Sequence, residues 1–220
     1  MDLCRRGKNK MKKFLVVAAI TLVGCAGPRS VAPVAVYDFG SQRFSTDANS
    51  SETAESLGLA GSLLVAEAAA PAWLDSTAIQ YRLAYDDLAQ SHAYASHRWA
   101  GSPASLLTQR IRNRIAGLSH GTVVSAADGA RTDYLLRLEL GEFTQIFDTP
   151  DQSRVVVKFR ANLIDRATRS VVAQRSFNIE QAAPSPNAKG AVHGLTNSGE
   201  KLIGDLIGWL REQMGGKGGT

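Results

Sequence analysis

Three long apolar-rich segments, Asp133–Phe147, Arg154–Asp165 and Val171–Gln181, follow one another with only short polar stretches between them. Asp148-Thr149-Pro150-Asp151 joins the first pair and Arg166-Ala167-Thr168-Arg169 the second, both built from turn-forming residues. In the first segment Leu136, Leu138 and Leu140 alternate with Arg137, Glu139 and Gly141. A period of two places every second side chain on the same face, so this strand has one buried and one wet face. The three segments therefore read as an antiparallel meander that needs a cover on its apolar side.

Two helical patterns can supply that cover. Ser102 is placed to cap a helix and Pro103 suits its first position. Leu107, Ile111 and Ile115 then recur every four residues on one face, and Gly117 suits the end. Arg110, Arg112 and Arg114 read as a solvated face rather than a phosphate site. Ala188–Met214 reads as a long helix with Val192, Leu195, Leu202, Ile203, Leu206 and Leu210 on one broad stripe. Its glycines, Gly190, Gly194, Gly199, Gly204 and Gly208, each cost about 1 kcal/mol against alanine. They imply close packing on the sheet or a break near 197–199. Shorter strands are expected at Val34–Phe39, Gly61–Ala70, Ile79–Leu83 and Ala89–Trp99, with a mobile polar loop at Ser41–Ser56. The expected fold class is α+β: a mainly antiparallel sheet with a middle helix and a C-terminal helix packed on it.

The N-terminal region has a different logic. Arg5, Arg6, Lys8, Lys10, Lys12 and Lys13 form a basic head, and Phe14–Val23 is an apolar run of ten residues closed by Leu22-Val23-Gly24-Cys25. Basic head, short apolar core and small residues in that order make a secretory signal, and the run is far short of the roughly 20 residues a spanning helix needs. Met11 starts a complete signal by itself, so Met1 and Met11 are both possible starts. Leu22-Val23-Gly24-Cys25 resembles the lipobox of bacterial lipoproteins. That resemblance implies cleavage between Gly24 and Cys25, a diacylglyceryl group on the Cys25 thiol, and an acyl chain such as palmitate on its freed amine. Ala26 stands where an aspartate would be the usual inner-membrane retention signal, so the analogy favours the outer membrane, facing the periplasm.

This reading changes the charge balance. The whole chain carries 25 Lys and Arg against 20 Asp and Glu. Residues 1–24 hold six of the basic residues and one acidic residue, Asp2, so 19 of each sign remain after cleavage. The basic balance vanishes with the signal, and with it the electrostatic case for nucleic acid. Of the two cysteines, Cys4 lies in the removed segment and Cys25 is committed to lipid, so the mature domain relies on core burial alone. The eight residues Ala26–Pro33 span at most about 28 Å, which keeps the domain near its membrane. The expected organisation is a signal peptide at 1–24, lipidated cysteine and tether at 25–33, a domain at 34–214, and a flexible tail at 215–220.

Chemistry-bearing patterns are sparse. His92, His97, His120 and His193 are scattered, and the sequence lacks a His-Glu-x-x-His run and a Cys-x-x-Cys pair. Asp86-Asp87 reads as a polar turn. No catalytic residue, metal ligand or free cofactor is expected, and the protein is expected not to be an enzyme. Tyr81, Tyr94 and Trp99 read first as core and second as a partner or lipid surface, while Trp73 is a candidate membrane-facing ring.

Several short features run in a telling order behind the lipobox: Tyr37-Asp38-Phe39-Gly40, Ile79-Gln80-Tyr81-Arg82, Tyr94–Ala100 with Arg98-Trp99-Ala100, and Pro103 opening a helix. Asp133-Tyr134-Leu135-Leu136, the meander and a closing helix with Trp209-Leu210 complete the series. Together they resemble the ABC-type transport auxiliary lipoproteins, including the paraquat-inducible protein C type. The long 41–56 segment departs from that pattern. The resemblance implies a non-enzymatic outer-membrane accessory of an inner-membrane ABC system carrying mammalian-cell-entry (MCE) proteins, which moves phospholipids or other apolar molecules. It also leaves room for a homo-oligomer. Two other classes remain open: a scaffold for lipopolysaccharide export or cell-wall synthesis, and a lipid-anchored hydrolase.

Overall fold

A computed structural model describes residues 33–40, 61–119 and 121–215. The expectations for the signal, the tether up to residue 32, the 41–56 loop, His120 and the tail beyond Gly215 lie outside them. The chain divides between Pro33 and Val34, and the fold is that of the second unit. Its strands are β1 (Ala35–Tyr37), β2 (Leu63–Val65), β3 (Ala78–Leu83), β4 (Asp87–Trp99), β5 (Val123–Ser125), β6 (Tyr134–Thr149), β7 (Gln152–Asp165) and β8 (Ser170–Ala182). The helices are α1 (Pro103–Leu118) and α2 (Ala188–Gly215). The class is α+β, as the sequence predicts.

The meander is β6–β7–β8, antiparallel throughout, with Tyr134 opposite Asp165 and Arg154 opposite Ala182. A register shift falls between Leu140 and Glu142. Gly141 is the extra residue there, and a bulge of this kind moves the inward phase by one position. Leu136, Leu138 and Leu140 enter the core before it, and Phe143 enters after it.

β6 is long enough to seat two strands on its other edge. β2 runs parallel to its start, with Leu63 beside Tyr134, and β3 runs parallel to its end, with Tyr81 beside Gln145. β4 pairs antiparallel with β3, and β1 and β5 add parallel edges on β4 and β2. The strand expected over Gly61–Ala70 is thus much shorter. The Ala68 N–H goes to the Thr108 hydroxyl on α1 at 2.9 Å instead of to the ladder, and only an isolated bridge at Ala69 follows.

Both helices cover one face. Ser102 accepts the Ser105 N–H at 3.4 Å to cap α1, which runs one residue past Gly117 and buries Leu107, Ile111 and Ile115 completely. Full burial of such a side chain is worth about 1.5–3 kcal/mol. α2 is unbroken over 28 residues, so no break occurs at 197–199. Leu195, Leu202, Leu206 and Leu210 join Leu138, Leu140, Val155, Val157 and Phe159 in one core. Arg137, Glu139, Lys158, Arg160 and Asn178 occupy the uncovered face, where Arg160 meets Glu139 at 3.7 Å. No helix among the described residues is long and apolar enough to cross a membrane.

Candidate interaction surface

Inward positions of β1, β3, β4 and the end of β6 lie beyond the reach of the main helical cover, and they are occupied by rings. Tyr81 lies with its centroid 4.7 Å from Tyr94, 5.1 Å from His92 and 5.8 Å from Phe147. Tyr94 continues to His97 at 6.3 Å, and His97 stacks on Tyr37 at 5.9 Å. These separations lie in the range where aromatic pairs add attraction beyond area burial. The row crosses four strands, and Tyr37, Tyr81, His92, Tyr94 and His97 are all half-buried.

One polar knot fixes it. Gln145 is fully buried on β6. Its Oε1 accepts the Tyr94 hydroxyl at 2.6 Å, and its Nε2 donates to the Ser153 hydroxyl at 2.8 Å and to the Ser185 carbonyl at 3.3 Å. The Tyr94 phenol is pushed well above its ordinary range by burial, with the neighbouring Tyr81 adding to the effect. It therefore stays a neutral donor throughout the physiological range. Rings with polar rims, held this way, suit contact with an apolar or aromatic surface carrying hydrogen-bonding groups.

The three aromatic candidates separate. Tyr81 and Tyr94 belong to the half-buried row, whereas Trp99 is 2% exposed and packs between Phe39 and Phe143 at 5.4 and 5.8 Å. Trp99 is a core residue and is not available to a partner or lipid. Trp73 is half-buried rather than exposed, and the Arg82 guanidinium lies 5.1 Å from its ring centre. The row also contains Tyr37, His92, His97, Phe147 and Gln145, which sequence reasoning did not assign to an interaction surface. Gln145 carried a signal, a polar residue between Phe143 and Phe147 in an apolar strand.

Charged candidates resolve into local structure. Arg110 pairs with Glu200 of α2 and donates to the Gly40 carbonyl at 2.9 Å, Arg112 lies 3.8 Å from Glu67, and Arg114 is exposed. Asp86 and Asp87 form the β3–β4 turn, where Asp87 accepts the Ala89 N–H at 2.9 Å. A shallow cleft of about 530 Å³ opens beside the β6–β7 turn between Asp148, Arg154, Glu180 and Pro184. Its one cation, Arg154, is held above its usual range by Asp148 and, secondarily, Glu180. Among the described residues no three His, Cys, Asp or Glu side chains are grouped to hold a metal ion.

The fold has solved counterparts. A Xanthomonas campestris protein described as a DUF330 member superposes with a TM-score of 0.62 at 20% identity, over 70% of this chain and 85% of the other. An uncharacterized protein superposes with a TM-score of 0.56 at 14% identity, over 80% of this chain and 97% of the other. Such identities speak for the fold alone. No curated protein matches the sequence significantly. The decisive match is to a family model that spans residues 44–204, from before β2 into α2, and contains α1, the meander and most of the ring row. A match over so much of the folded unit identifies the chain as a member of the ABC-type transport auxiliary lipoprotein component family.

Proposed function

We propose that this protein is a non-enzymatic docking component of an ABC transport system, tethered to the outer membrane through acyl chains on Cys25 and facing the periplasm. The family match over residues 44–204, behind a lipobox, carries this reading. The partner is an MCE-domain protein of an inner-membrane ABC system that moves phospholipids or other apolar molecules. The eight-residue tether keeps the domain at its own membrane, so the partner reaches across to it. Tyr81 and Tyr94 offer the partner a preorganised ring surface, and neighbouring copies of the chain can multiply that surface in a homo-oligomer.

The test is capture from intact cells. Tagged protein, crosslinked in the envelope, is expected to retain the MCE protein, and Tyr81→Arg is expected to weaken that capture severalfold. Deletion is expected to disturb outer-membrane lipid asymmetry. Unchanged asymmetry together with an absent MCE partner would sink the proposal. Density-gradient separation of the two membranes checks the anchoring site independently.

A further inference from the structure

Among the described residues five large apolar side chains are exposed: Val34, Val36, Tyr85, Leu88 and Val171. Val36 is on β1 and Val34 just precedes it, while Tyr85 and Leu88 belong to the β3–β4 hairpin. Tyr85 and Leu88, 48% and 50% exposed, flank Asp86 and Asp87 at the hairpin tip. Val171 is at the opposite end of the sheet, where β8 starts beside Ile164.

The direction of β1 gives the tip a context. β1 is parallel to β4, with Ala35 beside His97, so the N-terminal end of β1 points toward the Asp87 and Leu88 end of β4. From Asp87 to Ser96, level with Val34, β4 covers about 30 Å at 3.3 Å per residue. The eight residues between Cys25 and Val34 reach about 28 Å. A lipid-anchored Cys25 is therefore tethered by a length that lets the hairpin tip and the acyl chains meet one bilayer.

We infer that the β3–β4 hairpin tip is a second membrane contact, with Tyr85 at headgroup level and Leu88 in the outer acyl region. This rests on the lipid-anchor reading above. Tyrosine is favoured at that depth because its ring is apolar and its hydroxyl stays wet. Charge selects the surface. Asp86 and Asp87 sit between the two apolar residues, and Asp148 and Asp151 lie on the adjoining β6–β7 turn, joined to the tip by the Ala84 N–H on the Phe147 carbonyl at 2.8 Å. Two cations lie nearby and both are engaged: Arg154 pairs with Asp148 and Glu180, and Arg82 donates to the Leu88 carbonyl at 3.1 Å and lies 3.9 Å from Glu142. An acidic tip is repelled by anionic headgroups and suits a zwitterionic surface whose ammonium groups can meet the aspartates. The chosen occupant is thus a phosphatidylethanolamine-rich bilayer.

The experiment uses the full lipidated protein in phosphatidylethanolamine–phosphatidylcholine vesicles, with a single environment-sensitive dye on Leu88→Cys or on Val171→Cys. Nitroxide-bearing acyl chains are expected to quench the Leu88 dye about twofold more than the Val171 dye. Tyr85→Ser in the same background is expected to reduce that difference. Protein that floats with vesicles but shows equal quenching at both sites overturns the hairpin contact and leaves the anchor intact. Protein that does not float overturns the anchor reading and this inference together. A Leu88 dye shielded from aqueous iodide yet untouched by the nitroxide lipid means a protein covers the tip, which also overturns it. Stronger quenching in phosphatidylglycerol vesicles overturns the zwitterionic choice.

Discussion

Ser62 and Asp133, 71 positions apart, clasp each other where β2 joins the start of β6. Asp133 Oδ2 accepts the Ser62 N–H at 2.7 Å and its hydroxyl at 2.8 Å, while the Asp133 N–H is donated to Ser62 Oγ at 3.0 Å. Gly61 has a φ of +117°, and a Cβ there would lie 2.8 Å from Asp133 Oδ2. Only glycine meets both conditions comfortably, so Gly61-Ser62 and Asp133 act as one register lock for a parallel pair too short to specify itself.

The lock is pH-dependent. The Ser62 N–H, and next its hydroxyl, hold the Asp133 carboxyl below its usual range. A group with a depressed folded pKa adds stability above its unfolded value, about 3.9, and loses it as pH falls through the folded value. Asp133→Asn is therefore expected to lower Tm at neutral pH by a few degrees and to flatten the fall in stability below about pH 4. Thermal melts across pH 2–7 check this, with an unchanged acid limb counting against the lock.

The glycines of α2 are not equivalent. A Cβ on Gly194 would approach the two methyls of buried Val155 at 2.9 and 3.1 Å, and one on Gly190 would fall 1.9 Å from the Ser185 carbonyl. Gly204 faces open space. Gly194→Ala is expected to destabilise by about 1–3 kcal/mol through overpacking. Gly204→Ala is expected to stabilise by about 1 kcal/mol through helix propensity. Urea unfolding of the two variants should give opposite signs, and matching signs would mean that the contact with Val155 does not distinguish them.

Tyr94→Phe isolates the polar knot. It leaves the ring row in place but strips the Gln145 Oε1 of its donor, and a buried polar atom without a partner costs about 1–3 kcal/mol. The sign at high pH follows from the raised phenol. Because the folded state holds this proton more tightly, wild-type stability is full below about pH 10 and declines above it. The variant is expected to be less stable at neutral pH and to have a shallower alkaline decline. Denaturant midpoints at pH 7 and pH 11 check both limbs.

The parts of the fold that were legible are those set by local periodicity. The leucine alternation at 136–140 located β6 and its buried face, and the four-residue spacing of Leu107, Ile111 and Ile115 located α1. The parallel pairings of β1, β2 and β3 were not legible, since each rests on three residues meeting a strand distant in sequence. The shortened β2 depends on one hydroxyl, that of Thr108, diverting the Ala68 amide. Tyr81 and Tyr94 were visible as aromatics, but whether they face a core or a groove depended on where α2 stops covering the sheet. Trp99 shows the other outcome, an equally conspicuous ring that the same strand sends into the core.

Cys25→Ala tests the premise on which location depends. Each buried methylene adds about 0.8 kcal/mol, so one acyl chain binds marginally while two or three hold a domain stably. Without the thiol no diacylglyceryl group can be attached, and in lipoproteins cleavage follows that attachment. The variant is expected to accumulate as an unprocessed precursor or as released soluble protein, without the lipid adduct in intact mass spectrometry and unlabelled by palmitate. The described domain, whose core runs from Phe39 to Met214, is expected to keep its melting temperature. A variant still recovered as a processed, palmitate-labelled membrane species would show that the anchor is elsewhere, and the tether-length argument for the hairpin tip would lose its footing.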